Sequence, residues 1–328
     1  MRSTRLEMAL ESGSFAVPPT GLIAVIRPRA GDDLSALPKD RVVVLTGFKP
    51  DADHFAAQGY ASKIEGPVSM ALLCLPKAKA AARGLIAKAG LELVPHGLLV
   101  LDGQKTDGID SILKECKALG LEVGPALSKA HGKIAVVTPS DALAEWVASA
   151  WQIEDGFVTL PGVFSAEGPD RASVLLAAAL PPKLPPAVAD FGAGWGYLSR
   201  AILARQGVSS LDLIEAEADA LDCARVNITD PRARFHWADA TTIRPAKLWD
   251  AVVMNPPFHN GREADPGLGI AFIRAAQKML APGGSLWLVC NRHLPYEAEL
   301  KQLFKRVDEQ AGDASFRIYH ASVPQRGR

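Results

Sequence analysis

Ala187-Val188-Ala189-Asp190-Phe191-Gly192-Ala193-Gly194-Trp195-Gly196-Tyr197-Leu198-Ser199-Arg200 decides the fold. Ala187 to Phe191 reads as a short buried strand and Tyr197 to Arg205 as a helix, so the three glycines fall at the corner between them. At such a corner the chain turns sharply and a ligand can approach the bare backbone. The third glycine stands at the fifth position of the motif and Tyr197 at the sixth, whereas a dinucleotide-binding turn puts its last glycine at the sixth. Taken alone, the corner is equally compatible with a purely structural turn.

Working outward, Leu211 to Glu215 reads as the next strand and Asp219 to Asn227 as a helix. Arg234 to Trp237, Ala251 to Met254 and Ser285 to Cys290 read as further strands. Leu268, Phe272, Ala275, Ala276 and Met279 recur at helical spacing, and Leu280-Ala281-Pro282-Gly283-Gly284 is expected to end that helix in a tight turn. Alternating strands and helices predict an α/β fold with a largely parallel sheet. Ala172 to Leu180 reads as a helix ahead of the first strand. The prolines of Leu180-Pro181-Pro182-Lys183-Leu184-Pro185-Pro186 then separate the two, because proline has no amide donor for a helix or a central strand.

The first half echoes this pattern. Val68 to Pro76 (VSMALLCLP) resembles Asp250 to Pro257 (DAVVMNPP), and each precedes a helix and a strand, GLLVLDGQ in one and SLWLVCNR in the other. Ile109 to Leu119 then matches Tyr296 to Phe304, and Lys133 to Val137 matches Phe316 to His320. Val42 to Leu45 is read as the counterpart of the strand before the glycines, but only Gly47 follows it, so the first copy is degenerate. Asp141 to Trp151 reads as a helix, which places the seam near Trp151 to Gly156. The expected domains are 1–155 and 156–328.

The chain has 328 residues, 48% of them apolar and 22% charged, enough for two domains with their own cores and too apolar for a disordered chain. Basic and acidic residues number 36 each; cut after Asp155, the halves carry 17 against 18 and 19 against 18. That balance excludes a basic tail that grips polyanions nonspecifically, so any contact with nucleic acid must be a local patch. Cys74, Cys116, Cys223 and Cys290 form no Cys-x-x-Cys pair, and the histidines show no ligand spacing. No bound metal and no disulfide are expected. Glu7 and Glu11 interrupt the first residues where a signal peptide needs an apolar run, and no apolar stretch is long enough for a membrane. A soluble, cytoplasmic monomer is the expectation.

Three further groups carry chemistry. Glu215 ends its strand, where a carboxylate can accept both hydroxyls of a ribose; the alternative is an ordinary exposed acid. Asp239 follows the third strand, with Ala240 beside it, and is suited either to an adenine amine or to capping its own turn. Asn255-Pro256-Pro257-Phe258 follows an apolar strand directly. Its prolines remove two amide donors and stiffen a loop whose carbonyls remain as acceptors, Asn255 adds a carboxamide oxygen, and Phe258 adds a flat face for stacking. Two acceptors gripping an exocyclic amine would favour a pyramidal nitrogen with its lone pair aimed at an electrophile. His259 follows as a neighbour of the substrate.

The glycine spacing resembles the first motif of S-adenosylmethionine-dependent methyltransferases. Asn255 to Gly261 (NPPFHNG), Leu160-Pro161-Gly162-Val163-Phe164-Ser165 with Asp170 and Ser173 after it, and Phe316-Arg317-Ile318-Tyr319 together resemble the ribosomal RNA guanine-N2 methyltransferases of the small subunit. Ala193 stands where that family usually has cysteine, and Ala172 where it usually has glycine. The resemblance implies two tandem Rossmann-like methyltransferase domains, the first degenerate and serving RNA binding or support. It implies S-adenosylmethionine held by Asp190, Gly192, Gly194, Gly196, Glu215, Asp239 and Ala240. Asn255, Pro256 and Phe258 would be catalytic, with Pro257 and His259 beside the substrate, and the partner would be ribosomal RNA or the small subunit. Adenine-N6 and glutamine-N5 methyltransferases share Asn-Pro-Pro. They remain alternatives, as does a nonenzymatic RNA-binding assembly factor with a vestigial pocket.

Overall fold

The computed structural model describes residues 2–257, 259–260, 263–264 and 266–326. It divides into two compact units, Met1–Ala150 with Leu160–Gly162, and Trp151–Thr159 with Val163–Arg328. The division falls after Ala150 rather than Asp155, and a three-residue segment returns to the first unit.

The first unit contains α1 (Arg2–Glu11), β1 (Leu22–Ile26), β2 (Val42–Leu45), α2 (Lys49–Ala57), β3 (Val68–Cys74), α3 (Lys79–Leu91), β4 (Leu93–Gln104), α4 (Ile109–Ala118), β5 (Leu127–Lys129) and β6 (Gly132–Val137). Its sheet order is β2-β1-β3-β4-β6-β5. The second unit begins with a short pair, β7 (Trp151–Gln152) and β8 (Val158–Thr159), followed by α5 (Arg171–Ala179). Then come β9 (Ala187–Phe191), α6 (Tyr197–Leu203), β10 (Ser210–Glu215), α7 (Ala218–Asn227), β11 (Ala233–Trp237) and β12 (Trp249–Met254). The small hairpin β13 (His259–Asn260) and β14 (Glu263–Ala264) precedes α8 (Pro266–Met279), β15 (Leu280–Asn291), α9 (Tyr296–Leu303), β16 (Phe304–Gly312) and β17 (Phe316–Pro324). The main sheet is seven-stranded, ordered β11-β10-β9-β12-β15-β17-β16. Its first five strands are parallel and β17 is antiparallel to both neighbours. Phe272, Ile273 and Met279 of α8 and Leu300 of α9 cover one face, while Leu176 of α5, Ile202 of α6 and Ala224 of α7 cover the other. Burial on both faces explains the nearly continuous apolar runs of β9 and β12.

The two sheets share one topology. β2-β1-β3-β4-β6-β5 maps strand for strand onto β10-β9-β12-β15-β17-β16, with β11 the addition at the edge of the second. A shared irregularity strengthens the match. The β3–β4 pairing jumps from Val68↔Leu93 to Met70↔Leu98, and the β12–β15 pairing jumps from Trp249↔Leu280 to Ala251↔Ser285. Leu93-Val94-Pro95-His96-Gly97 and Leu280-Ala281-Pro282-Gly283-Gly284 therefore form the same bulge. The second segment is not a free turn after α8: Leu280 already pairs, because one strand can loop out residues between two paired positions.

Two expectations are corrected. The counterpart of β9 is β1, not Val42–Leu45, since β1 lies between β2 and β3 as β9 lies between β10 and β12. Arg27-Pro28-Arg29 thus follows where the glycine corner would be. β1 is five apolar residues long, too short for periodicity to separate strand from helix. Asp141 to Trp151 is not an α-helix but a 3-10 turn over Asp141–Trp146 that straightens at Val147. Leu143 and Ala148 lie against Gly90 and Gly84 of α3, and a Cβ at Gly84 would come within 2.6 Å of the Ala148 Cβ. Continuing the helix would lift one of these two contacts off the bare glycine surface.

In the first unit, Arg5 of α1 is 0% exposed and clamps Asp102 near the end of β4. Its Nε donates to Oδ2 at 2.9 Å, its Nη2 to Oδ1 at 2.6 Å, and its Nη1 to the Lys129 carbonyl at 3.2 Å. Removing one member of a buried pair strands the other charge. Arg5→Ala is expected to destabilise this unit by about 3–5 kcal/mol in urea unfolding, with much of the loss recovered by adding Asp102→Leu.

Candidate active site

Parallel pairing sets three strand ends level. Phe191 pairs with Ile214 on one side and Met254 on the other, so Gly192, Glu215 and Asn255 each stand one residue beyond a single aligned row. This row lies where the strand order reverses between β9 and β12, the crevice in which open α/β sheets hold ligands. Glu215 also pairs with Trp237, which puts Asp239 just past the same edge.

Gly192, Gly194 and Gly196 all have positive φ, at 71°, 55° and 96°, a region other residues enter only with strain. They also differ in what surrounds them. A Cβ on Gly196 would come within 3.0 Å of Ile228 Cγ1, so this glycine packs the corner onto the end of α7. Among the described residues, nothing lies within 4 Å of a Cβ on Gly194, where the backbone is left open. The Gly194 amide donates to Glu215 Oε2 and the Glu217 amide to Oε1, both at 2.8 Å. The carboxylate keeps acceptor capacity for a hydroxyl. Burial raises the pKa of Glu215, opposed by the backbone amides of Glu217, Gly194 and Ala216.

Asp190 is wholly buried below the corner. Ser199 Oγ donates to its Oδ2 at 2.6 Å, while Oδ1 has no partner among the described residues. Burial pushes its pKa up to about 7, the nearby Glu215 adds to the rise, and the Ser199 hydroxyl opposes it. The corner is braced from outside as well. Trp195 Nε1 donates to the Phe164 carbonyl at 2.9 Å, and the Asn227 side chain binds both the Trp195 carbonyl and the backbone of Val158. Val163 to Ser165 is thereby tied to the glycine turn, a contact that spacing in the chain could not disclose.

Asp239 behaves as a turn cap. Its Oδ1 accepts from both the amide and the hydroxyl of Thr241 at 2.7 Å, and Ala240 is buried in the core. Asn255 follows β12, Pro256 is buried and Pro257 is exposed. Phe258 lies outside the described residues; His259 opens β13, and its side chain also lies outside them. Both amide hydrogens of Asn255 are committed. Its Nδ2 donates to Asp170 Oδ2 and to Ser173 Oγ, each at 2.9 Å. Asp170 and Ser173 begin α5, more than eighty positions earlier, so their role was hidden until the chain folded.

These groups suit a ligand with an ammonium end, a ribose and a reactive centre between them. The orphaned Asp190 oxygen, the open backbone at Gly194 and the acceptor capacity of Glu215 fit S-adenosylmethionine. The family described as methyltransferase small domain matches residues 154–320. The chain is 31% identical over 259 residues to the ribosomal RNA small subunit methyltransferase C of Shewanella loihica, covering 76% of this chain and 75% of that one. The Shewanella halifaxensis protein of the same name is 31% identical over 261 residues, with the same two coverages. Among solved structures, T. thermophilus 16S rRNA N2 methyltransferase RsmC, in complex with AdoMet and guanosine, matches with a TM-score of 0.79 at 24% identity. It covers 98% of this chain and 92% of its own, so the shared fold extends across both units.

The chain belongs to the ribosomal RNA small subunit methyltransferase C family. It is a methyltransferase with two tandem methyltransferase-like units, of which the second carries the glycine corner. In this member of the family, among the described residues, no helix is long and apolar enough to cross a membrane.

The buried Asp190 carboxyl makes stability depend on pH. Its folded pKa, about 7, lies above the ordinary aspartate value of 3.8, so between these values the folded state holds the proton that the unfolded chain has lost. This group therefore withdraws stability as pH rises from about 4 to about 7, and nothing further above that. Asp190→Asn should flatten that part of the profile in thermal unfolding of the cofactor-free methyltransferase across pH 4–8.

Proposed function

We propose that this site transfers the methyl group of S-adenosylmethionine to the exocyclic N2 of a guanine in small-subunit ribosomal RNA. One observation carries the reading: the Asn255 carboxamide, one residue beyond the row it shares with the glycine corner, has both its hydrogens committed and so offers its oxygen to an amine. The relatives named ribosomal RNA small subunit methyltransferase C support the substrate, as does the guanosine-bound T. thermophilus protein.

The enzyme is S-adenosylmethionine-dependent, and the cofactor when bound supplies a methyl group already activated on a sulfonium. Gly192, Gly194 and Gly196 would let it approach the backbone, Asp190 would hold its ammonium end, and Glu215 would accept from the ribose hydroxyls. Asp239 and Ala240 would hold the adenine. Asn255 Oδ1 and the Pro256 carbonyl grip the two hydrogens of the guanine amine, whose lone pair otherwise spreads into the ring and makes it a poor nucleophile. The stacking role on the base falls to Phe258, and that of neighbours to the substrate to Pro257 and His259, by the motif they belong to. The amine sheds its proton after transfer, so the chain need supply no strong base. A base inside a helix cannot reach such a corner, so the guanine enters unstacked.

Because the sulfonium is itself the activated donor, the reaction requires no metal ion, and one chain carries every group named. A cytoplasmic monomer meeting ribosomal RNA or the assembling subunit is sufficient. The first unit keeps the sheet without the glycine corner and serves as an RNA grip or as support.

Mass mapping of ribosomal RNA from cells with and without the gene tests the reading. The strain lacking it should lose one N2-methylguanosine, restored by the intact protein and not by Asn255→Ala. Asn255→Ala should still bind S-adenosylmethionine in calorimetry while turnover falls by roughly 100-fold or more. Identical modification in both strains, or methyl groups found on adenine or glutamine instead, would overturn it.

A further inference from the structure

We propose that Asp170 and Ser173 are positioning residues that set which face of the Asn255 carboxamide meets the substrate and require that residue to be an amide. The inference rests on the function proposed above and adds to it a second group of residues, from α5, with no contact to cofactor or base of their own.

A carboxamide has a donor end and an acceptor end of nearly the same shape, and rotation by half a turn exchanges them. Only the acceptor end can hold an amine. At Asn255 the choice is fixed by its neighbours. Asp170 Oδ2 and Ser173 Oγ both lie 2.9 Å from Nδ2, and turning the amide over would set its oxygen against the carboxylate. The carboxylate accepts only, so it tolerates no oxygen there. Oδ1 is left on the other side of the group, oriented before substrate arrives. Donation from Nδ2 to a charged acceptor also draws electron density toward Oδ1 and improves it as an acceptor.

Asp170 is itself held in place. It is the N-cap of α5, and its Oδ2 also accepts the Ser173 amide at 3.0 Å. One carboxylate oxygen thus fixes the start of the helix and the orientation of Asn255 together. The same geometry bars aspartate at position 255, because a carboxylate there would face the Asp170 carboxylate with no proton between them. An aspartate would otherwise serve as well as asparagine in accepting from an amine.

The test uses the full-length protein, labelled S-adenosylmethionine, and ribosomal RNA from a strain lacking the gene, supplied both naked and as small subunits. Ser173→Ala removes one partner of Nδ2 and leaves the helix cap, so its melting temperature and its affinity for S-adenosylmethionine by calorimetry should match wild type. Its kcat should fall about tenfold with little change in KM for the RNA, as expected when a group is misoriented rather than lost. Asn255→Asp should fold, bind the cofactor and turn over at least 100-fold more slowly. In the double variant Asp170→Asn with Asn255→Asp, the donor moves to position 170, where asparagine also caps a helix. It should regain at least tenfold over Asn255→Asp, a recovery that helix capping alone does not produce.

Wild-type kcat in Ser173→Ala, or a folded, cofactor-binding double variant no faster than Asn255→Asp, would overturn the inference and leave the proposed function intact. A wild-type protein that methylates no guanine N2 would overturn both.

Discussion

Lateral register in a parallel sheet is the constraint on which the site depends. Phe191, Ile214 and Met254 are fixed in one row by hydrogen bonds between neighbouring strands, and each is followed at once by a residue of different chemistry: a glycine, a carboxylate and a carboxamide. Slipping any of the three strands by one residue would exchange its side chains between the two packed faces, which are fitted to different helices, and withdraw its terminal group from the row. The packing of α5, α6 and α7 on one face and of α8 and α9 on the other resists that slip. Stability and site geometry therefore rest on the same pairings.

Polarity within the row is then refined by local bonds. The Glu215 carboxylate, which by charge alone would repel an oxygen-rich ligand, is anchored by the Gly194 and Glu217 amides and keeps acceptor capacity for a hydroxyl. Buried Asp190, half satisfied by Ser199, has one oxygen without a partner among the described residues, at a cost that a cationic ligand would offset. Asn255 is turned by Asp170 and Ser173. In all three cases the group is oriented in advance, so little reorganisation is left for the moment of reaction.

The first unit shows which features of this fold are architectural and which serve chemistry. It retains the strand order, the antiparallel return and even the Leu-x-Pro-x-Gly bulge within its fourth strand. It has Arg27-Pro28-Arg29 in place of the glycines, and Cys74-Leu75-Pro76 in place of Asn255-Pro256-Pro257. Near the end of its β4, the buried pair of Arg5 and Asp102 fixes the first helix onto the sheet. Elements needed to close a core are common to both units, whereas the glycine corner and the Asn-Pro-Pro segment occur in the second.

Much of this was legible in the chain itself because the signals are local. Apolar runs marked β9, β10 and β12 to within two residues, positive-φ corners required the glycines, and proline pairs stiffened the loop after Asn255. The internal repeat was visible for the same reason, since its matched segments keep their order and spacing. Signals that were short or split stayed hidden: β1 has only five apolar residues, and the 3-10 turn at Asp141–Trp146 follows from two glycines on a helix fifty residues earlier. The amino-acid sequence determined which residues could hold a cofactor and an amine, because residue type alone fixes donors, acceptors and backbone freedom. Tertiary structure alone decided that Trp195 ties Phe164 to the glycine corner and that Asp170 and Ser173 orient Asn255. Hydrogen bonds between groups far apart in the chain exist only once the sheet has brought their strands and helices together.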